Sequence, residues 1–109
     1  MENEVITGEW RDGRLHGQGV RKLANGELYA GEWMRGKLQG YGEHISKEES
    51  YVGHFSNNLE NGKGKKISYA SEQDGQHGYV YEGQFKDGLF EGQGRQEYEN
   101  GDLYNGGFR

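Results

Sequence analysis

Aromatic and glycine positions alternate along this chain in a pattern that keeps returning. In Tyr29-Ala30-Gly31-Glu32-Trp33 a tyrosine, a glycine and a tryptophan stand at every second position. That is the period at which the side chains of a β-strand share one face. Ile6-Thr7-Gly8-Glu9-Trp10, Tyr51-Val52-Gly53-His54-Phe55, Tyr81-Glu82-Gly83-Gln84-Phe85 and Tyr104-Asn105-Gly106-Gly107-Phe108 repeat the theme. The closing aromatics are spaced by 23, 22, 30 and 23 residues. Seven residues after each of the first four comes Gly-x-Gly, at Gly17/Gly19, Gly40/Gly42, Gly62/Gly64 and Gly92/Gly94. Between the two features lie Asp12-Gly13, Arg35-Gly36, Asn57-Asn58 and Asp87-Gly88, which suit a two-residue turn with positive φ. Each unit therefore reads as a β-hairpin.

A two-residue turn sets Trp10 opposite Leu15 and Gly8 opposite Gly17. It likewise pairs Trp33 with Leu38, Phe55 with Glu60 and Phe85 with Phe90. Between units, a three-residue loop at Ala24–Gly26 puts Gly19 opposite Gly31, whereas a two-residue loop would flip the aromatic face. Odd-length or bulged connections are thus expected between units. The glycines leave troughs of bare backbone across which rings can lie. Each glycine costs about 0.5–1 kcal/mol, and a buried ring offsets this by about 1.5–3 kcal/mol. The expected architecture is all-β, a single-layer antiparallel sheet of successive hairpins. Its units are about 6–28, 29–50, 51–80 and 81–103, with a partial unit at 104–109.

The third unit departs most. Asn58 stands where the others have glycine, and Glu60 where they have Leu or Phe. The stretch Tyr69 to Gly78 lengthens this unit, and inserted loops on repeat scaffolds often carry specificity. Ser46 to Ser50 replaces the Asn-Gly turn. It resembles a capping box, but no amphipathic helix follows, so it reads as a polar loop.

Composition narrows the function. Only 30% of residues are hydrophobic and mean hydropathy is −1.17, too little for a thick two-layer core. The aromatic content of 13% and the absence of proline argue against a disordered linker. A net charge of −5 argues against a nucleic-acid binder. With no cysteine there is no disulfide framework and no thiolate metal site. No apolar run is long enough to span a bilayer as a helix, and the simplest expectation is a soluble intracellular protein.

Catalytic patterns are missing. Gly-x-Gly here lacks the strand–turn–helix setting of a dinucleotide fingerprint, and Asn61 to Lys66 lacks the spacing of a phosphate loop. His16, His44, His54 and His77 fall in different units or phases; His44 and His54 could meet across strands, without a third ligand. No catalytic residue, cofactor or metal is expected. Lys63, Lys65 and Lys66 are the densest basic cluster and could touch an acidic lipid headgroup. Strand alternation puts Lys66 on the face opposite Lys63 and Lys65, which splits the patch.

The recurring unit, Tyr-x-Gly-x-Trp/Phe, then Gly, then Gly-x-Gly, resembles the MORN repeat (membrane occupation and recognition nexus). Gly8 to Gly19 and Tyr81 to Gly94 carry the likeness best, and it extends from Ile6 to Phe108. The resemblance implies an elongated, twisted, single-layer sheet and a non-catalytic scaffolding role in a cytoskeletal or ciliary assembly. On that reading Trp10, Trp33, Phe55, Tyr81, Phe85 and Phe90 line a face that takes an extended segment or helix of a protein partner. The same rings could instead serve only to stabilise the sheet. Alternatives are a peripheral membrane module binding acidic phospholipid through Lys63, Lys65 and Lys66, or the regulatory repeat domain of a longer enzyme. The strands near Ile6 and at Tyr104 to Phe108 would leave open edges, suited to a partner or to end-to-end contact between copies.

Overall fold

Type I′ turns and transverse glycines organise the whole molecule. The computed structural model describes residues 4–70 and 78–108; residues 71–77, which include His77 and most of the long loop of the third unit, lie outside them. The described residues form nine strands: β1 (Val5–Arg11), β2 (Arg14–Lys22), β3 (Leu28–Met34), β4 (Lys37–Ile45), β5 (Glu49–Ser56), β6 (Leu59–Ser68), β7 (Tyr79–Lys86), β8 (Leu89–Tyr98) and β9 (Leu103–Phe108). They make one antiparallel sheet in sequence order, β1 to β9. The sheet measures 47 × 32 × 16 Å, and its thinness is that of a single layer.

Each hairpin turns on two residues with left-handed backbone: Asp12 (φ 50°) with Gly13 (76°), Arg35 (53°) with Gly36 (79°), Asn57 (51°) with Asn58 (70°), and Asp87 (49°) with Gly88 (84°). This is the turn whose twist matches the strands it joins. Asn58 fills the glycine position because Asn tolerates left-handed φ. Its Oδ1 also accepts a hydrogen bond from the Leu38 amide at 2.8 Å, tying the third hairpin to the second.

The expected pairs Trp10–Leu15, Trp33–Leu38, Phe55–Glu60 and Phe85–Phe90 are all present. Gly8, however, faces Gly19, not Gly17. The return strand of every hairpin carries a bulge at the first glycine of Gly-x-Gly. Gly17, Gly40, Gly62 and Gly92 have φ of 107°, 109°, 91° and 66°, conformations that a side chain rarely adopts. The bulge shifts the register by two residues, so glycine meets glycine on every strand. Gly8, Gly19, Gly31, Gly42, Gly53, Gly64, Gly83, Gly94 and Gly106 form one ladder across the sheet.

Connections between units are not uniformly odd. The first is the three-residue loop Ala24–Gly26, closed by Leu23 N–H to Glu27 O at 2.8 Å. The second is even: Ser46 N–H donates to Glu49 O at 2.8 Å around Lys47 and Glu48. The shorter second spacing compensates, and Gly42 still faces Gly53. Ser46 Oγ accepts from the Glu48 and Glu49 amides, a polar turn with no helix.

Candidate docking surface

The two faces of the sheet differ in kind. One carries the core: Leu15, Trp33, Leu38, Tyr51, Phe55, Tyr81 and Phe85 are buried there, with Tyr29, Tyr79, Phe90 and Phe108 packed against them. Rings meet mostly edge to face, as their quadrupoles favour; Tyr51–Phe85 centroids are 5.0 Å apart at 87°. Tyr81 and Phe90 stack flat at 3.9 Å.

Two kinds of glycine contact support this layer. A Cβ on Gly31 would lie 2.5 Å from Gly42 Cα and from Tyr41 O, so this position needs glycine for backbone approach rather than for a ring. A Cβ on Gly64 or Gly94 would collide with the ring of Tyr51 or Tyr81. The trough expectation therefore holds at Gly64 and Gly94, whereas at Gly19 and Gly42 the nearest atoms are Leu15 Cδ2 and Ala30 O, both at 2.9 Å, with the Trp33 and Phe55 rings at 3.2 Å. Tyr51 and Tyr81 lie over the ladder and donate their hydroxyls to His54 O and Gln84 O, both at 2.8 Å. In the second unit the indole Nε1 of Trp33 donates to Gly19 O at 2.9 Å. Tyr29 stacks instead on His44, 4.3 Å between centroids, and His44 Nε2 lies 3.1 Å from Glu27 Oε1. The Glu27 carboxyl is held below its ordinary range, first by Asn25 and then by His44. Burial pushes the Tyr51 phenol well above its ordinary value.

Among the residues expected to contact a partner, Trp33, Phe55, Tyr81 and Phe85 are buried at 4%, 4%, 0% and 3% exposure. Phe90 is half-buried. Trp10 alone stands open, at 53%. Lys66 is separated from Lys63 and Lys65, as alternation predicts: it is buried on the ring face, 3.5 Å from both Glu49 and Glu60 and over the Phe85 ring. Lys63 and Lys65 are exposed. His44 and His54 do not meet; their cross-strand partners are Tyr29 and Tyr51 for His44, and Tyr41 for His54. Among the described residues no group of three His, Asp or Glu could hold a metal.

The opposite face is a shallow trough running across the strands. The glycine ladder is its floor. Val20, Ala30, Glu43, Val52, Lys65 and Glu82 follow one another across the strands as one wall. Gln18, Glu32, Tyr41, His54 and Lys63 stand on the other side. Two adjoining hollows of about 430 and 540 Å³ share Tyr41 and Val52. Tyr41 is 54% exposed and packs edge-on against His54.

Two glutamates have a role that their position before Trp does not announce. Glu9 Oε2 accepts the Gln18 amide, and Glu32 Oε2 the Tyr41 amide, each at 2.6 Å. These are amides of the bulge, and a carboxylate acceptor makes the bond stronger than a neutral one. The shared Gly-Glu-Trp triplet is the only sequence trace of this device.

Comparison with known proteins agrees with this architecture. The description "MORN repeat" matches residues 7–27, 29–47, 51–69 and 81–103. Alsin from Mus musculus, Rattus norvegicus and Homo sapiens is 36% identical to this chain over 100 residues, which cover 86% of the chain. The chain spans only 6% of the length of these curated relatives. With repeat matches along most of its length and a single sheet of glycine-laddered hairpins, this chain belongs to the MORN repeat family.

Proposed function

We propose that this repeat module is a non-catalytic protein-binding scaffold whose open trough docks a partner segment, extended or helical. The supporting observation is the contrast between the faces. The ring face spends its aromatics on the core, while the trough keeps Val20, Ala30, Tyr41 and Val52 accessible over a smooth glycine floor. From β2 to β7 the trough crosses five strand intervals, about 24 Å, room for about 16 residues of helix. The binding surface is thereby moved from the rings to the opposite face, with Trp10 as the ring still able to touch a partner. Docking within a cytoskeletal or ciliary assembly belongs to the same proposal, and imaging of the tagged chain in ciliated cells tests that setting.

The test of the surface is site-specific photo-cross-linking in cells. A photoreactive residue at Tyr41 or Val52 should capture the same protein, and Ala30→Arg should abolish capture. One placed at Leu103, away from the trough, should not capture it. Capture that survives Ala30→Arg in a folded chain would remove the trough from the account.

A further inference from the structure

The chain is acidic overall, yet the tips of the first two hairpins are not. Arg11, Asp12, Arg14, His16, Met34 and Arg35 enclose a hollow of about 450 Å³. Three arginines thus line one cavity, with Asp12 as the sole acidic residue in its wall. The architecture forces them together. Arg11 and Arg14 are direct cross-strand partners, a placement in which like charges repel. The second tip is locked onto the first by Gly36 N–H to Leu15 O at 3.0 Å. The Arg14 stem passes over that tip, 3.7–3.9 Å from where a Gly36 Cβ would stand, and so lies between Arg11 and Arg35.

The other described arginines are neutralised. Arg21 pairs with Glu4 at 2.8 Å and Arg95 with Glu97 at 3.5 Å. Arg11, Arg14 and Arg35 have no ion pair among the described residues. A fold that repels charge at this spot and leaves it unpaired gains from an anion that bridges the forks.

We propose that this hollow is a binding site for a phosphoryl group, held by the guanidiniums of Arg11, Arg14 and Arg35. Guanidinium forks match phosphate oxygens in pairs, which a lysine ammonium cannot do. His16 stands in the wall as a further nitrogen donor. The site lies at the hairpin tips and is distinct from the trough.

The test uses the intact chain and two sources of the same group. Pyrophosphate is titrated calorimetrically at constant ionic strength; in parallel, vesicles containing phosphatidic acid are compared with vesicles of phosphatidylcholine alone. Arg14→Gln should weaken binding at least about ten-fold, the loss of one charge-assisted bond. Arg14→Lys, which keeps the charge and loses the fork, should fall between. Arg95→Gln should bind as the wild type does. Without anion, Arg14→Gln should melt no lower than the wild type, because it removes a repulsion. Pyrophosphate binding sensitive to Arg14 supports a site for free phosphate. Vesicle attachment sensitive to Arg14, without pyrophosphate binding, supports a lipid headgroup as the source. Binding of neither, or binding that Arg14→Gln and Arg11→Gln leave unchanged, overturns the proposal.

Discussion

Trp10 and Trp33 occupy the same place in the same triplet, Gly-Glu-Trp, before the same kind of turn, and each faces a leucine across its hairpin. Yet Trp10 is 53% exposed and Trp33 only 4%. The difference lies in the neighbour on the other side. Trp33 lies against β2: Gly17 faces it, its indole donates to Gly19 O, and its ring reaches to where a Gly19 Cβ would stand. Trp10 sits on β1, the first strand of the sheet, and has no preceding Gly-x-Gly strand among the described residues. A unit therefore supplies an aromatic ring that the previous unit buries. Stability in such an array is a sum of the units' own terms and their nearest-neighbour interfaces.

This contrast can be broken first at the rings. Trp33→Ala, at a site with 4% exposure and an indole bonded to Gly19 O of the preceding unit, should cost about 3 kcal/mol or more. Trp10→Ala should cost less than about 1 kcal/mol. Denaturant melts of both variants measure the gap, and equal losses would remove the neighbour rule.

The ladder gives the next largest effect. In Gly31→Ala the new methyl would meet Gly42 Cα and Tyr41 O at 2.5 Å, on a backbone at φ 143°. A loss above about 2 kcal/mol is expected, a large effect for one methyl. Gly26→Ala has open space and only its left-handed φ of 95° to overcome, about 1–2 kcal/mol. The melting temperatures should rank in that order.

A smaller effect separates the units by their bulges. Glu32→Gln weakens the bond to the Tyr41 amide and should cost about 1 kcal/mol. Glu82→Gln, on the other wall of the trough, should be close to neutral. Matching losses would show that the carboxylate does not support the bulge.

The pH dependence of the tyrosines sharpens the contrast between rings of the core and rings at the surface. Burial raises the folded pKa of Tyr51, and also those of Tyr29, Tyr79 and Tyr81. The unfolded chain ionises first, near pH 10, so it binds fewer protons than the folded chain above that pH. Stability is therefore complete below about pH 10 and falls as pH rises further. Absorbance titration should show the part of the phenolate signal that comes from the buried tyrosines appearing together with unfolding. Tyr51→Phe should flatten part of the slope.

Much of this fold was legible because glycine and aromatic spacing is itself the geometry. The four turns follow from Asp-Gly, Arg-Gly and Asn-Asn pairs, and the ring pairs follow from the turns. The register at Gly8 was not legible. It depends on a bulge at Gly17, where the Gln18 amide is held by the carboxylate of Glu9, nine positions before Gln18, and no local propensity announces it. Which closing aromatics would be covered was equally hidden, since their burial comes from the preceding unit and not from the ring's own strand. Arg14 and Arg35 stand twenty-one residues apart in sequence. They converge only because the second turn is bonded to the first hairpin.

The most direct test of the neighbour rule is acrylamide quenching of two single-tryptophan proteins, Trp10→Phe and Trp33→Phe. The first reports only Trp33 and should emit at short wavelength and resist the quencher. The second reports only Trp10 and should emit at long wavelength and quench readily. Two folded proteins with equal quenching would contradict the claim that the closing aromatic of each unit is buried by the unit before it.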